Sequence, residues 1–410
     1  MALKRFVGFG LGPIQSGLML AEAARSGSFG SYVVAEVDQE LVDAVRTNGN
    51  RLTVNVARKD GLATETLADL IVLNPAVASD RNRLGEEISR ADELATAVPS
   101  VDLYTAGGDN SIAALLAANV NPARPQLLYA CENNNYAAEI LLEQLRKRAP
   151  ESRLAHLQIL NTVIGKMSGV HRDPTVIRTL GLSPITPSLP RAVLVEEFNR
   201  ILVSRVTLPG VRKGIDVFSE KDDLLPFEEA KLFGHNAIHA LLGYLAWARG
   251  LVVMSDIRKH PDLYETGRRA FLDESGATLI RKHGHLGDQL FTPDGWRAYA
   301  EDLLERMTNP YLHDAVDRIC RDPARKLAYG DRLVGTMREC LKQGVEPELL
   351  AAGAAAALRY LAAEDVGKGT AWSGDMRAKL LALWEKEPDD GVRERCLAAV
   401  LGALPDSQVR

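Results

Sequence analysis

The stretch Gly8-Phe9-Gly10-Leu11-Gly12 constrains this chain more than any other feature, because it closes a run that passes from Arg5 into apolar residues and opens the helix formers of Ile14 to Ala24. A β-rich run, Ser31 to Val37, follows. Strand, glycine turn, helix and strand in that order make a unit in which the backbone can approach a pyrophosphate and leave it on the amides of a helix N-terminus. Gly10 and Gly12 read as the first two glycines, with Pro13 and Ile14 entering the helix; Gln15 stands at the third position and Gly17 two residues beyond. At the end of the second strand, Glu36 and Asp38 can accept hydrogen bonds from the adenosine ribose and would repel a 2′-phosphate, which favours NAD over NADP. The glycines alone favour a dinucleotide site over a plain strand-to-helix turn. The acid in sequence after them strengthens that reading.

At 410 residues the chain is longer than one core usually serves. Apolar segments at Leu70–Leu73, Val101–Thr105, Gln126–Ala130 and His156–Ile164 alternate with helical stretches at Asn110–Ala118 and Tyr136–Arg146, the pattern of a doubly wound, mostly parallel sheet. Ala106 and Gly107, following the segment at 101–105, are expected to form a further cofactor-side turn. The proline-rich Ser183–Pro190 suits no helix interior and suggests a boundary, giving a Rossmann-type α/β domain over 1–190 and a mainly helical substrate domain over 191–410. Beyond Phe227 the text is almost all helix-forming. The run Ala351–Ala357 continues with helical spacing into Leu358, so close helix packing is expected there rather than disorder.

A net charge of −5 argues against a nucleic-acid-binding surface while leaving room for a local cationic pocket. Cys131, Cys320, Cys340 and Cys396 are widely separated and form no CxxC pair, which suits reduced thiols in a cytoplasm. No apolar run is long enough to span a bilayer, so a soluble protein without membrane partners is expected. Nothing in the heptad pattern asks for a partner chain, and a monomer is expected.

The segment 228–239 sets Lys231, His235, Asn236 and His239 on one helix. At about 100° per residue, His239 falls roughly 80° and Asn236 roughly 140° from Lys231. A partly desolvated lysine can take a proton from a hydroxyl, an asparagine amide can donate to an oxygen gaining charge, and a histidine can orient either. An amphipathic helix with a solvated lysine and satisfied core histidines fits the spacing as well. His235 and His239 at i and i+4 also match a helical metal pair, but position 236 is asparagine where a zincin needs glutamate, and no third ligand is spaced for it.

These residues resemble the polyol-specific long-chain dehydrogenase/reductase family. The likeness rests on the glycine turn, on Ala130-Cys131-Glu132-Asn133, on Lys231, Asn236 and His239, and on Asp273-Glu274-Ser275-Gly276-Ala277. It continues through Asn309-Pro310-Tyr311-Leu312 and through 321–327 to Gly330-Asp331-Arg332-Leu333. The resemblance implies metal-free hydride transfer between a nicotinamide and a polyol or keto-sugar carbon. Lys231 would be the general acid/base, Asn133 and Asn236 the donors to the substrate oxygen, and His239 the orienting group. The chain length, nearer the compact members, points to a hexitol phosphate and a ketose phosphate, with Arg325, Lys326 and Arg332 as candidates for a cationic pocket. Another polyol or hexonate dehydrogenase, or a silent NAD-binding sensor, are the alternatives. Departures from the family pattern are Gln15 and Ser16, the run Ala106–Asn110, Gly165-Lys166 in place of an Asp-Arg pair, and His235 where an apolar residue is usual.

Overall fold

The computed structural model describes residues 3–367, 375–387 and 390–405. The chain forms two compact units, Met1–Leu225 and Pro226–Arg410.

Among the described residues the first unit holds twelve strands: β1 (Lys4–Phe9), β2 (Phe29–Ala35), β3 (Leu52–Ala57), β4 (Leu62–Leu67), β5 (Leu70–Leu73), β6 (Glu93–Thr96), β7 (Gln126–Ala130), β8 (Leu157–Val163), β9 (Ser168–His171), β10 (Ala192–Glu196), β11 (Leu202–Ser204) and β12 (Ser219–Lys221). Eight of them make a sheet in the order β12-β11-β8-β7-β6-β1-β2-β5. From β5 to β8 every pairing is parallel, and β11 joins antiparallel to β8. β7 is buried along its whole length, as a central parallel strand must be; its polar member, Gln126, is satisfied by the carbonyls of Ile88 and Ala91, each 2.8 Å away. Strand order reverses between β1 and β6, so the carboxyl ends there open the crevice in which doubly wound folds take their ligands. Helix α1 runs as Gln15–Leu20 in wide π-type turns and then Ala21–Ser26.

A second sheet, β4-β3-β10-β9, was not expected from sequence. It closes the other side of α1: a Cβ on Gly17 would collide with Val195 of β10, so this glycine provides the close helix–strand approach. The second sheet also explains why the expected boundary at 190/191 moves to 225/226. The proline-rich segment is a turn inside the first unit, with Ile185 accepting from the Thr53 amide at 2.9 Å, and the chain then returns as β10 beside β3 and β11 beside β8. Residues 191–225 are therefore sheet and loop, not the start of the helical part. The segment Val101–Tyr104 is a tight 3₁₀ turn rather than a strand; the strand is β6, eight residues earlier.

The second unit is helical. Its main elements are α2 (225–248, comprising Leu225–Glu229, the wide turns Ala230–Asn236, and Ala237–Ala248), α3 (261–283, with wide turns at Ala270–Gly276), α4 (Pro293–Met307), α5 (Val334–Lys342) and α6 (Glu348–Gly367). The alanine-rich stretch does pack closely: in α6 a Cβ on Gly353 would lie 2.9 Å from Leu241 of α2, and Ala354–Ala357 are buried.

Candidate active site

In the first unit Gly10 has φ +81, a left-handed conformation open to glycine, and a Cβ there would sit 2.9 Å from the Ala97 carbonyl oxygen. Around Gly12 a Cβ would meet nothing within 4 Å, so the face of the turn that a pyrophosphate needs is open. The amide of Gly10 donates to Ala35 at 2.8 Å, and that of Leu11 to the Glu36 carboxylate at 2.7 Å. Glu36 also accepts from the amides of Val37 and Asp38 at 2.8 and 2.9 Å. One carboxylate thus fixes the glycine turn and the end of β2 together. Asp38 is engaged differently: it caps the helix Gln39–Thr47 through the Leu41 amide and pairs with Arg191 at 2.8 Å. These contacts hold its carboxyl below the ordinary range despite the opposing effect of burial. Pro13 and Ile14 are half-buried at the start of α1. A glycine cradle with open space outside it, a helix start and an acid at the end of β2 fit a dinucleotide.

The third glycine of such a turn is Gln15 here, and its side chain lies over Gly8, where any Cβ would overlap it. A second glycine on β1 therefore makes room for the side chain that replaces the first.

Ala106 and Gly107 lie on an exposed turn after the 3₁₀ segment, Gly107 with φ +96. The residues directly against the glycine turn are Ala97 and Val98, which follow β6; the Ala97 amide donates to Phe9 at 3.0 Å, and Val98 would meet a Gly10 Cβ at 3.3 Å. Ala97 and Val98, not Ala106 and Gly107, thus form the turn that follows the strand beside β1, because that strand is Glu93–Thr96; they are the residues that sequence reasoning passed over. Asn133 is exposed just past β7. Its neighbour Glu132 is buried and accepts from the Thr96 hydroxyl at 2.9 Å, the Val98 amide at 3.0 Å and the Tyr104 hydroxyl. Burial nevertheless pushes the Glu132 carboxyl up. The resemblance's Ala-Cys-Glu-Asn motif anchors the loop after β6 to the loop after β7.

In the second unit, Lys231, His235 and Asn236 lie in the wide turns of α2, where i→i+5 pairing replaces i→i+4. Lys231 and Asn236 are therefore one wide turn apart, nearer to a common face than an α-helix would put them. Burial, followed by the nearby Arg332 guanidinium, pushes the Lys231 ammonium down to about 8, with Glu228 opposing. His235 is buried and held well below its ordinary value by burial and by His239, Arg306, Lys231 and Arg332. The rings of His235 and His239 are 6.0 Å apart. His239 faces Asp314, Nε2 to Oδ2 3.3 Å, an ion-pair distance without hydrogen-bond alignment. Asp314 had no sequence signal, since nothing in its own neighbourhood marks it as a partner of α2.

The three basic candidates separate. Arg332 is mostly buried, bound to Asp331 at 2.7 Å and close enough to depress Lys231. Lys326 is buried, its ammonium donating to the carbonyls of Ile319 and Arg321. Arg325 is on the surface, 3.7 Å from Asp322. Among the described residues no group of three or more His, Cys, Asp or Glu side chains is placed to hold a metal ion, and no helix is long and apolar enough to cross a membrane.

A doubly wound sheet with a glycine turn at its switch point, followed by a helical unit carrying a desolvated lysine, defines a long-chain dehydrogenase. The mannitol dehydrogenase C-terminal domain matches residues 223–390. The mannitol-1-phosphate 5-dehydrogenase of Bacillus licheniformis is 30% identical over 362 residues, 87% of this chain and 88% of its own. That of Pseudarthrobacter chlorophenolicus is 32% identical over 279 residues, 67% and 66% of the two chains. Among solved structures, a substrate-free D-sorbitol dehydrogenase has TM-score 0.75 at 13% identity, covering 96% of this chain and 91% of its own. Pseudomonas fluorescens mannitol 2-dehydrogenase, in a ternary complex with NAD and D-mannitol, has TM-score 0.69 at 15% identity, covering 100% and 93%. These last two show the fold. The chain belongs to the mannitol dehydrogenase family, the polyol-specific NAD-dependent dehydrogenases.

Proposed function

We propose that this protein interconverts mannitol 1-phosphate and fructose 6-phosphate with NAD, using Lys231 as the general acid/base. The observation that carries the reading is the Lys231 ammonium pushed down to about 8, one wide turn from Asn236 and two turns from His239. Bound NAD supplies a nicotinamide C4 that accepts or returns hydride. In the oxidative direction neutral Lys231 Nζ takes the proton of the substrate hydroxyl; in the reductive direction its ammonium returns it to the carbonyl oxygen. The amides of Asn236 and Asn133 donate to that oxygen as charge develops, which supplies the stabilisation a metal gives other alcohol dehydrogenases. His239 orients the substrate. Gly10, Gly12, Pro13, Ile14 and Glu36 hold the dinucleotide, with Asp38 bracing the loop through Arg191.

A phosphorylated substrate is favoured by the cations around His235 in the helical unit: Lys231, Arg306 and Arg332 all act on this buried ring. The same cations suit the carboxylate of a hexonate, which is the second reading. NADH oxidation should be followed with fructose 6-phosphate, fructose and keto-hexonates as substrates, in the native protein and in Lys231→Ala. Turnover with the phosphate alone, lost in the variant, supports the proposal. Turnover with the keto-acid alone moves the assignment to hexonates, and NADH binding without any turnover points to a sensor.

A further inference from the structure

We propose that Asp314 is a positioning residue that sets the tautomer of His239, and so decides which ring nitrogen is the acceptor. This rests on the reading of His239 as a substrate-orienting group. Asp314 is buried, and its two oxygens face different partners. Oδ1 accepts from Arg318, Nε at 2.7 Å and a terminal nitrogen at 2.6 Å. Oδ2 faces His239 Nε2 at 3.3 Å, and both of these atoms are shut off from solvent with no aligned hydrogen-bond partner. The backbone is fixed as well: the Asp314 carbonyl accepts from the Met254 amide at 2.9 Å, the Val316 amide donates to Val252 at 2.9 Å, and Val253 bridges Ala315. Just before it, His313 takes a left-handed φ of +49 after the turn capped by Asn309, so the chain is turned to bring Asp314 under α2.

A carboxylate is an acceptor only, and opposite an imidazole nitrogen it favours the proton on that nitrogen. Nε2 is then the protonated position and Nδ1 keeps its lone pair. The long 3.3 Å separation fits a pair that tightens when substrate fills the site, as catalytic hydrogen bonds often do. Burial opposes the charge on Asp314, yet His239 and Arg318 together hold its carboxyl below the ordinary range, so it stays an acceptor at neutral pH.

Asp314→Asn makes the test sharp. Arg318 can only donate, so it will retain the amide oxygen and leave the amide nitrogen turned toward His239. That nitrogen is a donor, which forces the proton from Nε2 to Nδ1. Nitrogen-15 NMR of histidine-labelled full-length protein, with the His239 signal assigned by His239→Gln, reads the tautomer directly. The expected result is an Nε2–H form in the native protein and an Nδ1–H form in Asp314→Asn. Turnover should fall on the order of 10²-fold with little change in NADH affinity. Asp314→Ala, which imposes neither tautomer, should give a mixture and an intermediate rate. The same tautomer in all three proteins overturns the proposal whatever the kinetics. If His239→Gln itself leaves turnover intact while the tautomer still follows residue 314, the site reading fails and the Asp314–His239 coupling stands.

Discussion

A lysine with its ordinary pKa is almost wholly protonated at neutral pH and is a poor base; burial at α2 and the Arg332 charge bring Lys231 to about 8 and change that. The direction of the pH effect follows. Oxidation of the polyol needs neutral Lys231, so kcat/KM in that direction should rise as pH passes through about 8 and then level off, while ketose reduction, which needs the ammonium, should fall across the same range. Arg332→Gln removes a neighbouring positive charge and should move both midpoints to higher pH, and pH–rate profiles of the two proteins check this. Midpoints that stay together in the variant would show that Arg332 does not set the lysine. Lys231→Ala should lower turnover by about 10²–10⁴-fold in each direction at the pH where Lys231 is in the form that direction needs, and should remove the pH dependence near 8. At this scale sequence served unevenly. Lys231, Asn236 and His239 share a short helical segment, so spacing exposed them; Asp314 reaches His239 only through the pairing of 252–254 with 314–316, which no local pattern records.

Elements explain how these side chains are aimed. The Phe233 carbonyl, in the wide turns between Lys231 and Asn236, accepts from the Ser275 hydroxyl at 2.7 Å, and Ser275 lies in the wide turns of α3. Its neighbours in the same motif join other helices: Glu274 caps α6 through the Leu349 and Leu350 amides at 2.6 and 2.9 Å, and Gly276 leaves room for Trp296 of α4. Ser275→Ala should therefore cost about 1 kcal/mol of stability and lower kcat more than it raises KM, with Ser275→Thr recovering part of both. Chemical denaturation beside steady-state kinetics separates the two effects. In the first unit, Gly8→Ala should cost about 1–3 kcal/mol because the new methyl meets Gln15, and adding Gln15→Gly should recover most of it, a non-additivity that a double-mutant cycle measures. The parallel strands from β5 to β8, β6 excepted, and the long helices were readable from periodicity. The wide turns were not, because a π turn changes hydrogen-bond register without changing composition. Val101–Tyr104 misled for the opposite reason: β-branched and aromatic residues there are packed on a 3₁₀ turn, and the true strand, Glu93–Thr96, opens with a buried glutamate held by Lys4 and Tyr129.

For the whole molecule, the two units were legible and their junction was not. Prolines at 183–190 look like a linker in text, but a second sheet that needs β10 to close it draws the chain back for another 35 residues, and strand pairing between residues so far apart leaves no local trace. Charge shows the same contrast between global and local. The chain carries −5 overall, which disfavours approach of an anion, while Lys231, Arg306 and Arg332 gather positive charge in the helical unit. If the substrate is a phosphate, that local field must supply its affinity, and salt will screen it over a Debye length of about 10 Å at 0.1 M. KM for fructose 6-phosphate should then rise several-fold between low and 0.3 M sodium chloride, while kcat changes little. Arg332→Gln should raise KM at low salt and flatten its dependence, because one of the screened charges is gone. A KM indifferent to salt in the native protein, or a salt slope unchanged in the variant, would take the phosphate away from these cations and return the assignment to an uncharged polyol.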